Sequence, residues 1–219
     1  MMYKVCIFDL DGTLTDTLDS LEYSVNETLK EIGMPGITRE QCREFVGNGA
    51  KVLIEKALRA SGDAGLSNYD KAFGAYRRIF DENCTYKVKP YPGVVKLLAD
   101  LRSEGLKLGV LSNKPDRQAV HVVRDIFGEH AFDCVHGQRE GIPRKPDPAP
   151  LLALARELGA EPSEVLYIGD SEVDVATGKA AHMDTVAVAW GFRSREELQS
   201  AGAARIADTA DEILQIIKK

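Results

Sequence analysis

Lys4 to Asp9 reads K-V-C-I-F-D, a continuous apolar run that ends in a carboxylate. A strand with one face in water alternates apolar and polar residues, whereas a parallel strand covered on both faces stays apolar throughout. Leu106 to Ser112 (L-K-L-G-V-L-S), Val165 to Asp170 (V-L-Y-I-G-D) and Thr185 to Trp190 (T-V-A-V-A-W) share that character, and Phe132 to His136 is a weaker fifth. Helical patterns fill the gaps. Pro92 stands at a first helical position, with Val94, Leu97, Leu98 and Leu101 on one face and Gly105 closing the helix. Pro115 opens another, Pro148 to Leu158 forms a third closed by Gly159, and Ser194-x-x-Glu197 is a capping box for a late helix. The alternation predicts an α/β chain built on a doubly wound, Rossmann-like parallel sheet. Reactive residues are then expected at the carboxyl ends of the strands.

One stretch breaks the alternation. From Asp16 to Asn83 no strand pattern is found, only helical stripes. Leu18, Leu21, Val25, Leu29 and Ile32 form one, ended by Gly33, and Thr38-x-x-Gln41 caps a second helix. Ala50, Leu53, Ile54, Ala57 and Leu58 form a third, and Tyr69, Phe73, Tyr76 and Phe80 a fourth. Four helices can bury a core of their own. The expected organisation is a core domain of residues 1–15 and 88–219 with an inserted four-helix cap domain of residues 16–87. Hinges fall near Leu14–Asp16 and Lys87–Pro90.

Composition excludes several classes of function. The net charge is −6, from 28 Lys and Arg against 34 Asp and Glu, and no basic cluster offers a footprint for nucleic acid. No apolar run approaches the ~20 residues that span a bilayer, so no membrane partner is expected. The four cysteines, Cys6, Cys42, Cys84 and Cys134, contain no C-x-x-C pair, which argues against a disulfide framework and against a zinc site. The four histidines show no metal-ligand spacing either. Met1 to Lys4 leads straight into the first strand without a signal-peptide core, so a cytoplasmic protein, monomer or homodimer, is expected.

The chemistry-bearing residues cluster at strand ends. Asp9-Leu10-Asp11-Gly12-Thr13 follows the first run, and two carboxylates there repel unless a proton or a cation is shared. The bland alternative is an Asp-Gly turn. Ser112-Asn113 ends a second strand, Lys145-Pro146-Asp147-Pro148 precedes a helix, and Gly169-Asp170-Ser171 ends a third strand with Asp174 a turn beyond. Taken singly, each has a plain reading: a strand-end hydroxyl, a solvated lysine, a helix N-cap at Asp170.

Together, D-L-D-G-T, L-S-N, K-P-D-P and G-D-S-E-V-D resemble the four motifs of the haloacid dehalogenase-like phosphohydrolases. The likeness covers essentially the whole chain, the helical cap included, and G-D-S-E-V-D-V-A-T, A-W-G-F-R and V-G-N-G-A look most like phosphoglycolate phosphatases. His182 departs from it, standing where relatives usually carry glycine. The resemblance implies a phosphatase acting on a small phosphorylated metabolite, with Asp9 as nucleophile and Asp11 as general acid and base. Thr13 would buttress the phosphate-binding loop, and Ser112, Asn113 and Lys145 would bind the phosphoryl group. Asp9, Asp11, Asp170 and Asp174 would form the Mg²⁺ site, with Asp174 a direct ligand or one step behind. Gly47, Asn48 and Gly49 can offer backbone N–H groups to a substrate anion or simply make an interhelical turn. Lys114 and Arg193 are candidate partners for a substrate carboxylate. A sugar-phosphate mutase or pyrophosphatase on the same scaffold remains an alternative, as does a non-catalytic phospho-aspartate switch.

Overall fold

Val5–Phe8 (β1) is buried along its whole length because it lies between two parallel neighbours. The computed structural model describes residues 3–218. After β1 the chain forms β2 (Thr15–Asp16), then helices α1 (Leu18–Glu31), α2 (Arg39–Phe45), α3 (Gly49–Ala60) and α4 (Tyr69–Asn83). It continues through β3 (Lys89–Pro90), α5 (Val94–Ser103), β4 (Lys107–Pro115), α6 (Asp116–Phe127), β5 (Cys134–Gln138) and α7 (Ala149–Glu157). The last elements are β6 (Val165–Gly169), α8 (Glu172–Ala180), β7 (Asp184–Val188), α9 (Arg195–Ser200), β8 (Ile206–Ala207) and α10 (Ala210–Lys218).

Six strands form one parallel sheet in the order β5-β4-β1-β6-β7-β8. Val5 is aligned with both Lys107 and Val165; β6 ends one residue past the level of β1, while β4 runs on to Pro115. The order departs from β1 in both directions, through β4 on one side and β6 on the other. That reversal makes a crevice at the carboxyl edge. Side chains of β1, β6 and α7, among them Val5, Ile7, Leu151, Leu154, Val165 and Tyr167, pack into one core cluster.

The chain divides into two compact units, one made of the residues up to Asp16 and from Lys89 onward, the other Thr17–Val88. The second unit is helical. Along α1 the apolar stripe Leu18, Leu21, Val25 and Leu29 is buried, and so is a parallel row of small polar residues, Ser20, Ser24 and Thr28. Each of these hydroxyls donates to a carbonyl one turn back (Ser20 to Thr17 at 2.9 Å, Ser24 to Ser20 and Thr28 to Ser24 at 2.7 Å). Burial then leaves no donor unpaired in that row. The capping box of Thr38 and Gln41 starts α2, and Asn48 caps α3 between Gly47 and Gly49, whose φ values are +116° and +80°.

Several boundaries differ from the sequence pattern. Gly93, at φ +80°, is the N-cap of α5, so Pro92 stands before the helix rather than inside it. Strand β4 runs on to Pro115, with an irregular register between Leu111 and Pro115 against β5, and β5 begins at Cys134. Asp16, expected at the start of a strandless stretch, pairs with Lys89 in a short antiparallel ribbon of β2 and β3. The two crossing segments are therefore tied together. Strand β8 and helix α10 were not anticipated. His182 adopts φ +55°, the left-handed conformation usually given to glycine. Among the described residues no helix is long and apolar enough to cross a membrane.

Candidate active site

Asp9 is the first residue beyond β1, and its N–H is held by the carbonyl of Ile168 at 2.8 Å. The ends of β4 and β6 flank it, bringing Ser112 and Asp170 to the same edge. Lys145 arrives from the loop before α7 and is almost completely buried. Its ammonium lies 3.0 Å from Asp9 Oδ1 and 2.7 Å from Asp174 Oδ1. Asn113 fixes this approach. Its carboxamide accepts from the Lys145 N–H and donates to the Lys145 carbonyl, each at 3.0 Å. The Asn113 side chain thus places the lysine and is spent in doing so.

The two carboxylates that share Lys145 differ in their remaining partners. Asp174 is fully buried, and both of its oxygens are taken. Oδ1 accepts from Lys145 and from the Tyr167 hydroxyl, while Oδ2 accepts from the Ser171 N–H at 3.2 Å and the Ser171 hydroxyl at 2.6 Å. Burial alone would raise its pKa, but Lys145, Ser171 and Tyr167 outweigh it and keep the carboxyl below its ordinary value. For Asp9, both protein donors, Lys145 and the Leu10 N–H, fall on Oδ1. Burial raises the Asp9 pKa to about 7, with Lys145 opposing and Asp174 and Asp11 adding to the rise. Burial also works against the Lys145 charge, yet Asp174 and Asp9 prevail and hold its pKa above the ordinary lysine value.

Asp170, beyond β6, has only neutral donors: the Phe192 N–H at 2.7 Å and, at 3.4 Å, the Thr13 hydroxyl. Burial pushes its pKa far up, and the charges of Asp174 and Asp9 push the same way. Two glycines make room for it. A Cβ on Gly12, whose φ is +86°, would fall 2.2 Å from Asp170 Oδ2, and one on Gly191 would fall 2.4 Å from Asp170 Cβ. Thr13 braces Asp170 through its hydroxyl and is itself held by Trp190 Nε1, which donates to the Thr13 carbonyl at 3.0 Å. Asp11 is paired through both oxygens with Lys114, at 3.0 and 3.2 Å. Ser112 Oγ accepts from the Lys114 N–H at 3.2 Å, which leaves its own hydrogen to donate.

Carboxylate oxygens of Asp9, Asp170 and Asp174 lie within 4.8 Å of one another. Four carboxylates, counting Asp11, share the ammonium groups of Lys114 and Lys145. The uncompensated charge falls on Asp170 and on the free oxygen side of Asp9. An all-oxygen donor set with excess negative charge suits a hard divalent cation, and this acidic cluster could bind one. Both Asp174 oxygens already accept two hydrogen bonds each from the protein, more than Asp9 or Asp170 receives.

Lys114 and Arg193, the candidate partners for a substrate carboxylate, each pair with a carboxylate of the chain: Lys114 with Asp11, and Arg193 with Glu172 at 2.8 Å. The plain alternative for Asp170, a helix N-cap, falls to Ser171, in a capping box with Asp174. Gly47, Asn48 and Gly49 lie in the helical unit at the start of α3. Tyr167 was missed in the sequence, where it reads as one more buried strand residue. The available signal was a phenol within an otherwise apolar, two-face-buried strand, since a buried hydroxyl needs a partner. The Phe192 N–H, like any backbone donor, leaves no side-chain signature.

An open parallel sheet with this carboxylate-lysine constellation at its switch point defines a class of hydrolases. Residues 6–188 match the haloacid dehalogenase-like hydrolase family, and the chain belongs to it. It is 36% identical over 214 residues to the phosphoglycolate phosphatase of Rhodospirillum rubrum, covering 94% of this chain and 88% of that protein. The phosphoglycolate phosphatase of Aquifex aeolicus is 33% identical over 189 residues, 86% of each chain. CbbY from Rhodobacter sphaeroides, solved in complex with phosphate, superposes with a TM-score of 0.77 at 25% identity over 97% of this chain and 96% of that one. These relationships place the chain among the phosphoric monoester hydrolases.

Proposed function

We propose that this enzyme hydrolyses a small phosphate monoester, 2-phosphoglycolate first among the candidates, through a phosphorylated Asp9. The observation that carries the reading is the division of labour around Lys145. One carboxylate is saturated by protein donors, and the other keeps an oxygen for chemistry. In the first half-reaction an Asp9 oxygen attacks phosphorus as the bond to the leaving oxygen breaks. Asp11 supplies the proton that the departing alkoxide takes. In the second, water attacks the phosphorus of the acyl phosphate, Asp11 accepts its proton, and the bond to Asp9 breaks to release inorganic phosphate. Lys145 and the Ser112 hydroxyl hold phosphoryl oxygens, and Asn113 and Thr13 keep Lys145 and Asp170 in place. Splitting one difficult displacement into two is the gain of covalent catalysis.

Asp9, Asp170 and the main-chain carbonyl of Asp11 would hold Mg²⁺, with Asp174 behind them. The bound ion would neutralise charge that would otherwise repel the substrate dianion. Gly47, Asn48 and Gly49 are assigned the reading of the leaving group. The relatives named phosphoglycolate phosphatase support the substrate. The experiment is phosphate release from phosphoglycolate, hexose phosphates, nucleotides and pyrophosphate, compared by kcat/KM with Mg²⁺ and after chelation. Phosphoglycolate should lead, and chelation should remove turnover. A profile led by a sugar phosphate or pyrophosphate would reassign the substrate, and a single phosphorylation without turnover would make the protein a switch.

A further inference from the structure

Apart from the acidic cluster, one other group of three potential metal ligands converges among the described residues: Cys134, His136 and Glu157. Cys134 Sγ lies 3.2 Å from His136 Nε2 and 2.9 Å from Glu157 Oε1, and His136 Nε2 lies 3.1 Å from Glu157 Oε2. None of the cysteines lies in a C-x-x-C pair. The relevant spacing is C-x-H along a strand, because residues two apart on β5 face the same side. Strand β5 is at the sheet edge, and α7 crosses beside it so that Glu157, its last residue, closes the triangle. A helix carboxyl end favours a cation.

We propose that Cys134, His136 and Glu157 form a binding site for a borderline-soft divalent metal of the zinc class, separate from the all-oxygen site at Asp9. One sulfur, one imidazole nitrogen and one carboxylate oxygen are a donor set that Mg²⁺ disfavours and Zn²⁺ accepts. With Zn–S near 2.3 Å and Zn–N and Zn–O near 2.0–2.2 Å, tetrahedral ligands stand roughly 3.3–3.6 Å apart. Cys134 Sγ and His136 Nε2 already stand close to that spacing at 3.2 Å, and Glu157, which turns a different oxygen to each of them, must present one oxygen to the ion. Glu157, with its side chain 54% exposed, can make that movement, and the half-buried Cys134 and His136 need not. The fourth position is left to water.

Metal binds sulfur as the thiolate, so binding expels the Cys134 thiol proton to solvent.

The test uses the full chain with excess Mg²⁺ to fill the oxygen site, titrated with Co²⁺ as a spectroscopic stand-in for Zn²⁺. Sulfur ligation gives a thiolate-to-cobalt charge-transfer band in the near ultraviolet, to which an oxygen-only site contributes nothing. One equivalent should develop the band in the wild type, and Cys134→Ser should abolish it. His136→Gln and Glu157→Gln should weaken binding at least tenfold. Glu157 is exposed enough that its substitution leaves the fold intact. No band in the wild type, a band unchanged in Cys134→Ser, or equal affinity in Glu157→Gln would overturn the site. Phosphate-ester turnover takes no part in these readouts, so either conclusion leaves the proposed catalytic reading untouched.

Discussion

Lys145 faces two carboxylates at once, and their other partners settle what each can do. Asp174 spends every lone pair direction on Tyr167, Ser171 and Lys145, so it holds the ammonium in place. Asp9 keeps one side open. Asp9→Asn is therefore expected to lower kcat by at least about 10³-fold, the loss expected when a covalent nucleophile is removed. Circular dichroism and thermal melting should show the fold retained. Asn113→Ala acts at one remove, because it releases the Lys145 main chain without touching its ammonium. A fall in kcat of about 10-fold to 10²-fold from a misplaced group, with KM for phosphate esters little changed, would support the positioning role. An unaltered kcat would remove it. At Gly191 a methyl group meets Asp170 Cβ and the Gly12 carbonyl, both at 2.4 Å. Gly191→Ala should cost about 1–3 kcal/mol in urea unfolding, as overpacking does.

Elements differ in how plainly they could be read. The fully buried β1 and β6 announce themselves as apolar runs, and so does the middle of β4 from Leu108 to Leu111, since a parallel strand has no wet face to encode. The two-residue strands β2, β3 and β8 are too short for any periodicity. The start of α5 was misjudged because proline and glycine both mark helix starts, and Gly93 in the left-handed conformation took the cap. At the site, Asp9 and Asp170 were legible because each follows a buried strand directly, whereas Ser112 and Asn113 lie within β4 and Lys145 in the loop before α7. The pairings Lys114–Asp11 and Tyr167–Asp174 were not, because they depend on which strands become neighbours. The turn between α3 and α4 is organised by Asp63, whose carboxylate accepts from the N–H groups and side chains of Ser67 and Asn68. Those bonds lower its pKa to about 2. A depressed carboxyl pKa contributes stability above the unfolded-state value of about 4. The contribution is lost as pH falls from there through about 2. Melting temperatures of the wild type and Asp63→Asn should differ most at neutral pH and converge toward pH 3. A constant gap would show that the charge is irrelevant there.

At the scale of the whole molecule, the crowding of Asp9, Asp170 and Asp174 predicts that a divalent ion bound among them stabilises the fold. An ion that binds only the folded state at about 100 times its Kd adds about 2.7 kcal/mol. For a chain of this size that corresponds to roughly 5–10 °C in Tm. Mg²⁺ should produce such a shift in the wild type and little or none in Asp170→Asn. Equal shifts in both would place the ion elsewhere. The covalent mechanism requires Asp9 to carry the phosphoryl group, and rapid acid quenching during turnover tests that directly. Proteolysis and mass spectrometry of the quenched enzyme should find a phosphoryl adduct on the peptide containing Asp9, chased away on longer incubation and absent from Asp9→Asn. Steady turnover with no adduct, or with the adduct on another residue, would contradict it.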